Sequence, residues 1–413
     1  MEKVLFIGLV WPEPQSSAAG TRILQLLQLF RDAGYEPIFA SAAAKSPYSF
    51  PLAEEGVREE PIYLNDRRFD TFVAELQPDI VVFDRFMTEE QYGWRVREQV
   101  PSALTILDTE DLHFVRKARE EAYKKGQQAN YHNPTALREI SAILRCDLSL
   151  IISKNEMELL EQTFQVPKGL LYYLPFLEDI TTESSEIEPI GLPFAERKDF
   201  VFIGNFLHEP NWKTVQVLKT QIWPELKKRL PEAELHIYGA YASDKVYQLQ
   251  QPKDRFLIKG RAEDARETLG RYRVLLAPIP FGAGAKGKFV DAMQVGTPSV
   301  SSAVGAESMS LDGRWNGAIC DDPLLFVDQA FLFYTDAKRW QQAQAEGDFL
   351  LRALYDKVQF EAKFLQAIRN LQGNLGSHRK QHFIGQILQA QQHNSTKFMS
   401  LWIAEKNKVR SED

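Results

Sequence analysis

Apolar residues along the chain form two kinds of pattern that alternate with each other. The first is a short continuous apolar run, as at residues 3–10, Glu36–Ser41 and Ile80–Asp84. Such a run, without polar alternation, predicts a strand that is buried on both faces. The second is an apolar repeat at helical spacing, as at 21–31, which predicts an amphipathic helix. Strands that alternate with amphipathic helices predict a parallel, doubly wound α/β sheet.

This alternation stops in the middle of the chain and then begins again. Residues 178–198 are acidic, contain prolines and show no periodicity, which predicts a linker between two domains. A second set of strands is predicted at 200–203, 234–238, 255–258, 274–277 and 297–301. The pattern then becomes helical, in segments 324–334, 340–355, 360–371 and 383–391. We therefore predict an N-terminal α/β domain (1–190), a C-terminal α/β domain (191–375) and a final helix with a tail (376–413).

Composition narrows the classes of function. The formal net charge of −7 argues against a mainly electrostatic hold on nucleic acid. Cys146 and Cys320 are the only cysteines, so a disulfide framework and a cysteine zinc cluster are excluded. The apolar run near the start is too short for a spanning helix and lacks a signal-peptide cleavage region. We therefore expect a cytoplasmic protein without a transmembrane segment.

A glycine-rich loop, FGAGAKGK, lies between the strand predicted at 274–277 and the helix that follows it. Its glycines can take positive φ and let a ligand approach the backbone closely: Gly282, Gly284 and Gly287. The helix that follows begins with unpaired N–H groups, which lie beside Lys286 and Lys288. Together they predict a site for phosphate.

Literal motifs leave several interpretations of this loop open. The glycines satisfy G-x-G-x-x-G, and Glu307 follows the third glycine by twenty residues, as in dinucleotide-binding sites. That fingerprint, however, normally opens the first βαβ unit of a fold. The loop also satisfies G-x-x-x-x-G-K of nucleoside triphosphatases, but Phe289 stands where Ser or Thr would hold magnesium. A tight glycine turn with solvated lysines is the alternative without function.

The longer pattern GAGxKGKxxDAMxxGTPxVxxxxGAE resembles the donor site of retaining glycosyltransferases of family four, which have the two-domain GT-B fold. The resemblance implies two Rossmann-like domains that face each other across a cleft. Asp291 aligns with the helix carboxylate that binds the ribose hydroxyls, as a shorter Asp in place of Glu. Ala283 stands where many members have a second Glu, which binds the sugar. Three residues match the next loop, near sugar and phosphates: Gly305, Ala306 and Glu307.

In the first domain, the resemblance implies two further contacts. Gly20 resembles the glycine loop that faces the donor phosphates, and a plain βα turn is the alternative. Asp111 and His113 resemble a loop that brings an acid and a histidine to the sugar and the acceptor. Alternatively, Asp111 caps the helix predicted at 113–122, and His113 is a solvated first-turn residue. Asp108, Glu110 and Asp111 could chelate a metal, but the corresponding glycosyltransferases have a mixed single-domain sheet, so we expect none.

The strand at 200–203 also precedes a loop that resembles the family. Members often have an arginine and a lysine there, which hold the diphosphate. Asn205 and His208 stand near those places, so Lys286 and Lys288 are expected to carry more of that charge. Asn211 is predicted to cap the next helix, 212–229.

The function implied is transfer of a sugar from a nucleoside-diphosphate sugar, with retained anomeric configuration and without a metal (EC 2.4). His113 and Asp111 would contact sugar or acceptor, and Lys286 would stabilise the leaving phosphate. The predicted donor contacts are Gly20, Asn205, Gly282, Gly284, Lys286, Gly287, Lys288, Asp291, Gly305, Ala306 and Glu307. The nucleotide sugar is a co-substrate, and no cofactor is expected.

Several partners and functions stay open at this stage. The acceptor could be a glycan, a lipid-linked sugar, a small molecule, a protein or an RNA. A nucleotide-sugar epimerase of the same fold is one alternative, and Ala283 leaves a non-catalytic sugar-nucleotide-binding protein as another. The last helices of GT-B folds cross back to the first domain. The tail from residue 394, with its lysines and apolar residues, is expected to pack in this way, and contact with a partner or a membrane surface is the alternative.

Overall fold

The computed structural model describes residues 1–180 and 191–411, with the backbone alone at 391–396, 404 and 407–411. A first sheet has seven parallel strands in the order β3-β2-β1-β4-β5-β6-β7. They are β1 (Lys3–Gly8), β2 (Glu36–Ser41), β3 (Arg58–Pro61), β4 (Ile80–Asp84), β5 (Leu104–Asp108), β6 (Leu148–Ile151) and β7 (Leu171–Tyr173). In register, Leu5 of β1 lies between Ile38 and Val81.

A second sheet has six parallel strands in the order β10-β9-β8-β11-β12-β13. They are β8 (Lys198–Ile203), β9 (Leu235–Tyr238), β10 (Phe256–Gly260), β11 (Tyr272–Ala277), β12 (Ser299–Ser301) and β13 (Gly317–Ile319). The two sheets confirm the predicted fold class of two doubly wound α/β domains. Of the predicted linker, residues 181–190 lie outside the described part of the chain, as does the division at residue 190.

The helices of the first domain are α1 (Ala18–Asp32), α2 (Arg68–Leu76), α3 (Arg85–Gln99), α4 (His113–Lys125), α5 (Pro134–Arg145) and α6 (Lys154–Glu158). Those of the second domain are α7 (Glu209–Val217), α8 (Trp223–Arg229), α9 (Asp244–Tyr247), α10 (Ala265–Gly270), α11 (Gly287–Gln294), α12 (Ala303–Ala306), α13 (Pro323–Thr335) and α14 (Ala337–Leu354). The chain ends with α15 (Lys357–Gly373), α16 (Leu375–Gln381) and α17 (Phe383–Ser411). Among the described residues, no helix is long and apolar enough to cross a membrane.

The core of the first domain explains why its strands are continuous apolar runs. Val4 and Phe6 of β1 pack on one face of the sheet, and Leu5 and Ile7 pack on the other. Each face is covered by helices, so neither set of alternating residues meets water. Burial on both faces therefore stabilises the strands that carry the site at their carboxyl ends.

The last three helices return to the first domain. Phe364 and Ile368 of α15 belong to the same apolar core as Val4 and Phe6. In α16, Arg379 forms an ion pair of 2.7 Å with Asp147. The chain therefore returns to the first domain at α15. This helix lies within residues 191–375, which the sequence assigned to the second domain.

The tail is part of α17, which packs against α3 and α5. Ser400 is buried and accepts a hydrogen bond of 2.8 Å from Arg95. Phe398, Met399 and Trp402 are exposed. One face of the tail therefore packs on the first domain, and another presents apolar side chains to solvent.

Candidate functional site

A cavity of about 510 Å³ lies between the two domains. Its first-domain wall comes from the segments that follow β1, β4 and β5, and its second-domain wall from those that follow β8, β9 and β11. These are the carboxyl ends of parallel strands, where α/β sheets bind ligands because the loops there are free of the sheet's hydrogen bonds. The cavity thus occupies the place that the fold favours for a ligand.

The glycine loop joins β11 to α11 and contacts the first domain directly. Gly284 has a φ of +65°, and a Cβ there would lie 2.7 Å from Asp111 Cβ. A Cβ on Gly287 would lie 2.7 Å from Ala18 Cβ, at the start of α1. Gly282 lacks positive φ, and its carbonyl accepts a hydrogen bond of 2.8 Å from Arg119. Any side chain at Gly284 or Gly287 would therefore push the two walls apart.

The two lysines of this loop line the cavity and bind neutral oxygen atoms. Lys286 Nζ donates to the Gly284 carbonyl at 2.8 Å, and Lys288 Nζ donates to Asn211 Oδ1 at 2.8 Å. Lys288 also lies 4.2 Å above the ring of Phe202. Burial lowers the pKa of Lys286 to about 8 and that of Lys288 to about 7. Both are held beside the first turn of α11, where N–H groups also attract an anion.

Asp111 and His113 lie on the opposite wall, next to Arg116, which the motif did not indicate, and close to His208. His113 Nε2 is 3.5 Å from Asp111 Oδ1, and Arg116 Nη1 is 3.4 Å from Asp111 Oδ2. Arg116 Nη1 is also 2.6 Å from Nε2 of His208, which belongs to the second domain. Burial raises the pKa of Asp111, but Arg116 and the histidines outweigh it and lower it to about 2. Burial lowers the pKa of His113 to about 3 and that of His208 to about 4, so both rings are neutral at pH 7.

The alternative role of Asp111 as a helix cap is wrong. Helix α4 begins at His113 as predicted, but the N–H groups of His113 and Phe114 donate to the carboxylate of Glu139 at 3.1 and 2.9 Å. The N–H of Leu112 donates to Glu156 at 2.9 Å. The His113 side chain is only 13% exposed and packs edge-on against Phe86, so it is not a solvated first-turn residue.

Asp291, the predicted ribose ligand, lines the cavity and forms an ion pair. Its Oδ1 accepts a hydrogen bond of 2.8 Å from Arg266 Nε, while Arg266 Nη2 donates to Glu178 at 2.8 Å. Burial raises the pKa of Asp291, and Arg266 partly offsets this. A second cavity of about 390 Å³ adjoins the first here. Arg266 thus occupies the space beside Asp291, which is shorter than the Glu that the resemblance implies at this position.

The three residues of the next loop do not line the cavity in the part of the chain described. Glu307 forms a bidentate ion pair with Arg119 of α4, at 2.6 and 2.8 Å. Gly305 packs so tightly that a Cβ would lie 2.0 Å from Ser301 Oγ. Ala306 is buried in the core. This loop therefore lies behind the glycine loop, and the ion pair between Glu307 and Arg119 connects it to the first domain.

Gly20 and Asn205 both line the cavity. Gly20 is in the first turn of α1, and a Cβ there would lie 2.5 Å from the backbone of Glu13. The carbonyl of Asn205 accepts a hydrogen bond of 2.8 Å from Asn211 Nδ2. Asn211 is not the predicted N-cap, because α7 begins at Glu209 and its first turn contains Asn211. The asparagine side chain instead joins Asn205 to Lys288.

Sequence reasoning missed several residues that the fold brings to the site. Arg85 and Arg116 line the cavity, and Arg266 lines the adjoining one. Glu156 accepts N–H groups from both domains, those of Leu112 at 2.9 Å and Gly284 at 2.8 Å. Burial raises the pKa of Glu156 to about 8. Arg85, Arg266 and Glu156 lie outside every local motif, so the sequence offered no signal for them.

Comparison with known proteins indicates a glycosyltransferase. Residues 197–336 match the family model described as Glycosyl transferases group 1. No curated protein matches the chain significantly. Sucrose-phosphate synthase from Thermosynechococcus elongatus is 17% identical with a TM-score of 0.66, over 90% of this chain and 99% of that one.

Two other solved structures carry a nucleotide. HepE from Anabaena, in complex with UDP and glucose, is 14% identical with a TM-score of 0.66, over 90% of this chain and 100% of that one. A mutant of TarM from S. aureus, in complex with UDP and other ligands, is 9% identical with a TM-score of 0.69, over 89% and 99%. The fold is therefore that of GT-B proteins, and the comparisons together support a glycosyltransferase.

Proposed function

We propose that the chain transfers a sugar from a nucleoside-diphosphate sugar to an acceptor, with retention of anomeric configuration and without a divalent cation. The observation that carries the proposal is the pair Lys286 and Lys288. Their ammonium groups lie at the first turn of α11 and bind only neutral oxygens among the described residues. A diphosphate would supply the missing negative charge, and the preorganised N–H groups would stabilise it as it leaves.

In this assignment the acceptor oxygen bonds to the anomeric carbon as the bond to the diphosphate oxygen breaks. The proton of the acceptor hydroxyl passes to the leaving diphosphate, so no separate oxidant or cofactor is needed. His113 and Asp111, on the facing wall, would contact the sugar or the acceptor. Neutral His113 can donate or accept a hydrogen bond without adding charge.

Asp291 would orient the ribose hydroxyls together with Arg266. The neighbours HepE and TarM are seen with UDP, which makes UDP the first diphosphate to test. Ala283, in place of the sugar-binding Glu, shifts sugar contacts to other residues of the cavity. The first-domain wall, with His113, supplies such contacts.

Calorimetry with UDP and UDP-glucose in EDTA tests the donor half of the proposal. Binding that persists in EDTA supports a metal-free site, and complete loss of binding contradicts it. Product analysis by NMR then reports the anomeric configuration. An epimerase would convert the sugar nucleotide without an acceptor, and a binding protein would show affinity without turnover, so the same assay separates the alternatives.

A further inference from the structure

Two residues at the ends of neighbouring strands have an unusual backbone. Arg85 follows β4 with a φ of +68°, and Glu110 follows β5 with a φ of +62°. Neither is a glycine, so this left-handed conformation is disfavoured unless the surroundings impose it. Both residues line the first-domain wall of the cavity. The strain therefore lies where side chains face a ligand.

Each arginine on this wall is paired with a carboxylate. Arg85 Nε is 3.1 Å from Asp84 Oδ1, and Arg116 pairs with Asp111 at 3.4 Å. Beneath the wall, Arg22 pairs with Asp108 at 2.9 Å. At the rim, Glu13 adds a carboxylate, which accepts hydrogen bonds of 2.8 Å from the hydroxyl of Tyr241.

Glu110 differs from these carboxylates, because among the described residues its carboxyl has neither an ion pair nor a hydrogen-bond donor. Its Oε1 is buried without a hydrogen-bond partner in the described part of the chain. Burial raises the pKa of Glu110 well above its ordinary value, and Asp108 and Asp84 add to this, while Arg85 and Arg22 oppose it. A protonated carboxyl is uncharged and can both donate and accept a hydrogen bond. It therefore suits a hydroxyl group better than an anion.

We propose that Glu110 and Arg85 bind the hydroxyl groups of an uncharged, polyhydroxylated acceptor, that is, a saccharide without phosphate. This rests on the proposed glycosyl transfer and names the class of its acceptor. Among the described residues of the first-domain wall, a phosphate on the acceptor would meet no unpaired cation, and it would lie near the carboxylates of Asp84 and Glu13. An uncharged sugar carries no such repulsion, and it satisfies the buried Oε1 through a hydroxyl.

Paired acceptors test the proposal with the wild-type chain. Glucose, galactose, mannose and N-acetylglucosamine are each compared with their 6-phosphates as stimulants of UDP release from UDP-glucose, UDP-galactose and UDP-N-acetylglucosamine. We expect at least one free sugar to stimulate release, and its 6-phosphate to be about tenfold weaker. Preference for a phosphorylated member overturns the acceptor class. So does the failure of every free sugar in a protein that binds UDP. Absence of UDP binding would instead reject the donor site and the proposed function.

Three variants test the roles of Glu110 and Arg85. Glu110→Ala should raise the KM for the active sugar roughly tenfold or more, while the Kd of UDP, by calorimetry, stays unchanged. Glu110→Gln, which keeps an uncharged donor and acceptor, should stay within about threefold of wild type. Asp84→Asn leaves Arg85 without its carboxylate, so it should shift the preference toward the 6-phosphate. The proposal is wrong if Glu110→Ala leaves the KM unaltered, if Gln is as damaging as Ala, or if Asp84→Asn leaves the preference unaltered.

Discussion

The two walls of the cavity hold positive charge in different ways. On the first-domain wall, Arg85 and Arg116 each lie within 3.4 Å of a carboxylate. On the second-domain wall, Lys286 and Lys288 donate to a carbonyl and an amide oxygen. An ion pair keeps its charge when buried, whereas an unpaired lysine loses affinity for its proton, as the low pKa values of Lys286 and Lys288 show. The proposed function and acceptor class follow this difference, with a neutral ligand on the paired wall and an anion on the unpaired one.

The largest expected effect comes from removing one unpaired lysine. Lys286→Ala should lower kcat by about 100-fold or more, because a preorganised donor to the leaving diphosphate is lost. Lys288→Ala should lower it less, since Lys288 is fixed to Asn211 and Phe202 at the side of the helix. Steady-state rates at saturating donor measure both. Lys168, which is 82% exposed, provides the control Lys168→Ala. Unchanged kcat with a raised KM would limit the lysines to ground-state binding.

The second effect concerns the carboxylate on the same wall. Asp291→Ala removes a charge-assisted acceptor worth roughly 1.5–3 kcal/mol, so the affinity for the nucleotide sugar should fall about ten- to a hundredfold. Because Arg266 would lose one of its two carboxylate partners and keep Glu178, Arg266→Met is the matched variant. Calorimetry with UDP and with uridine separates ribose contacts from phosphate contacts. If Asp291→Ala and wild type bind uridine with equal affinity, Asp291 does not bind the ribose.

The comparison also predicts opposite changes in stability. Lys288→Met should raise the midpoint of thermal unfolding, because the folded state no longer holds an unpaired charge. Arg116→Met should lower the free energy of unfolding by about 1–2 kcal/mol, because it leaves Asp111 without its partner; this is less than for a fully buried pair, since both groups are partly exposed. Scanning calorimetry measures both. Equal shifts in the two variants would show that pairing does not distinguish the walls.

The gain from Lys288→Met should depend on pH. The pKa of Lys288 in the folded protein, about 7, lies below its unfolded value, so the folded state binds fewer protons between these values. Stability from this group is therefore lowest below pH 7 and recovers as the pH rises. The advantage of the variant should be largest near pH 6 and disappear near pH 10. A constant difference across this range would contradict the assigned pKa shift.

The smallest effect is on the pH dependence of nucleotide binding. In the proposed complex, charged lysines bind the diphosphate of UDP, and its negative charge raises their pKa. Affinity should therefore be full below about pH 7 and should fall severalfold as the pH rises through 7 to 9. Calorimetric titrations of wild type and Lys288→Ala at pH 6 and pH 9 measure this. The variant should lose part of the pH dependence, and retention of all of it would assign the titration to another group.

The sequence by itself determined the features that depend on neighbouring residues. Apolar runs marked β1, β2 and β4, because a strand buried on both faces needs no distant information to be recognised. The glycine loop, the two lysines and the start of α4 were also predicted, since a strand-to-helix turn is built from consecutive residues. Helix caps could not be predicted in this way. Asn211 and Asp111 have side chains that can cap a helix, but the packing of α7 and α4 decides where each helix begins.

Only the tertiary structure decided which charges are paired. Arg119 and Glu307 are 188 residues apart, and Arg116 and His208 are 92 apart. Such contacts depend on how two sheets face each other, and no local pattern encodes that placement. Burial, which sets the pKa values of Lys286, Lys288 and Glu110, also arises only when both domains are in place. The position of the glycine loop thus followed from consecutive residues, and the electrostatic character of the cavity followed from the fold.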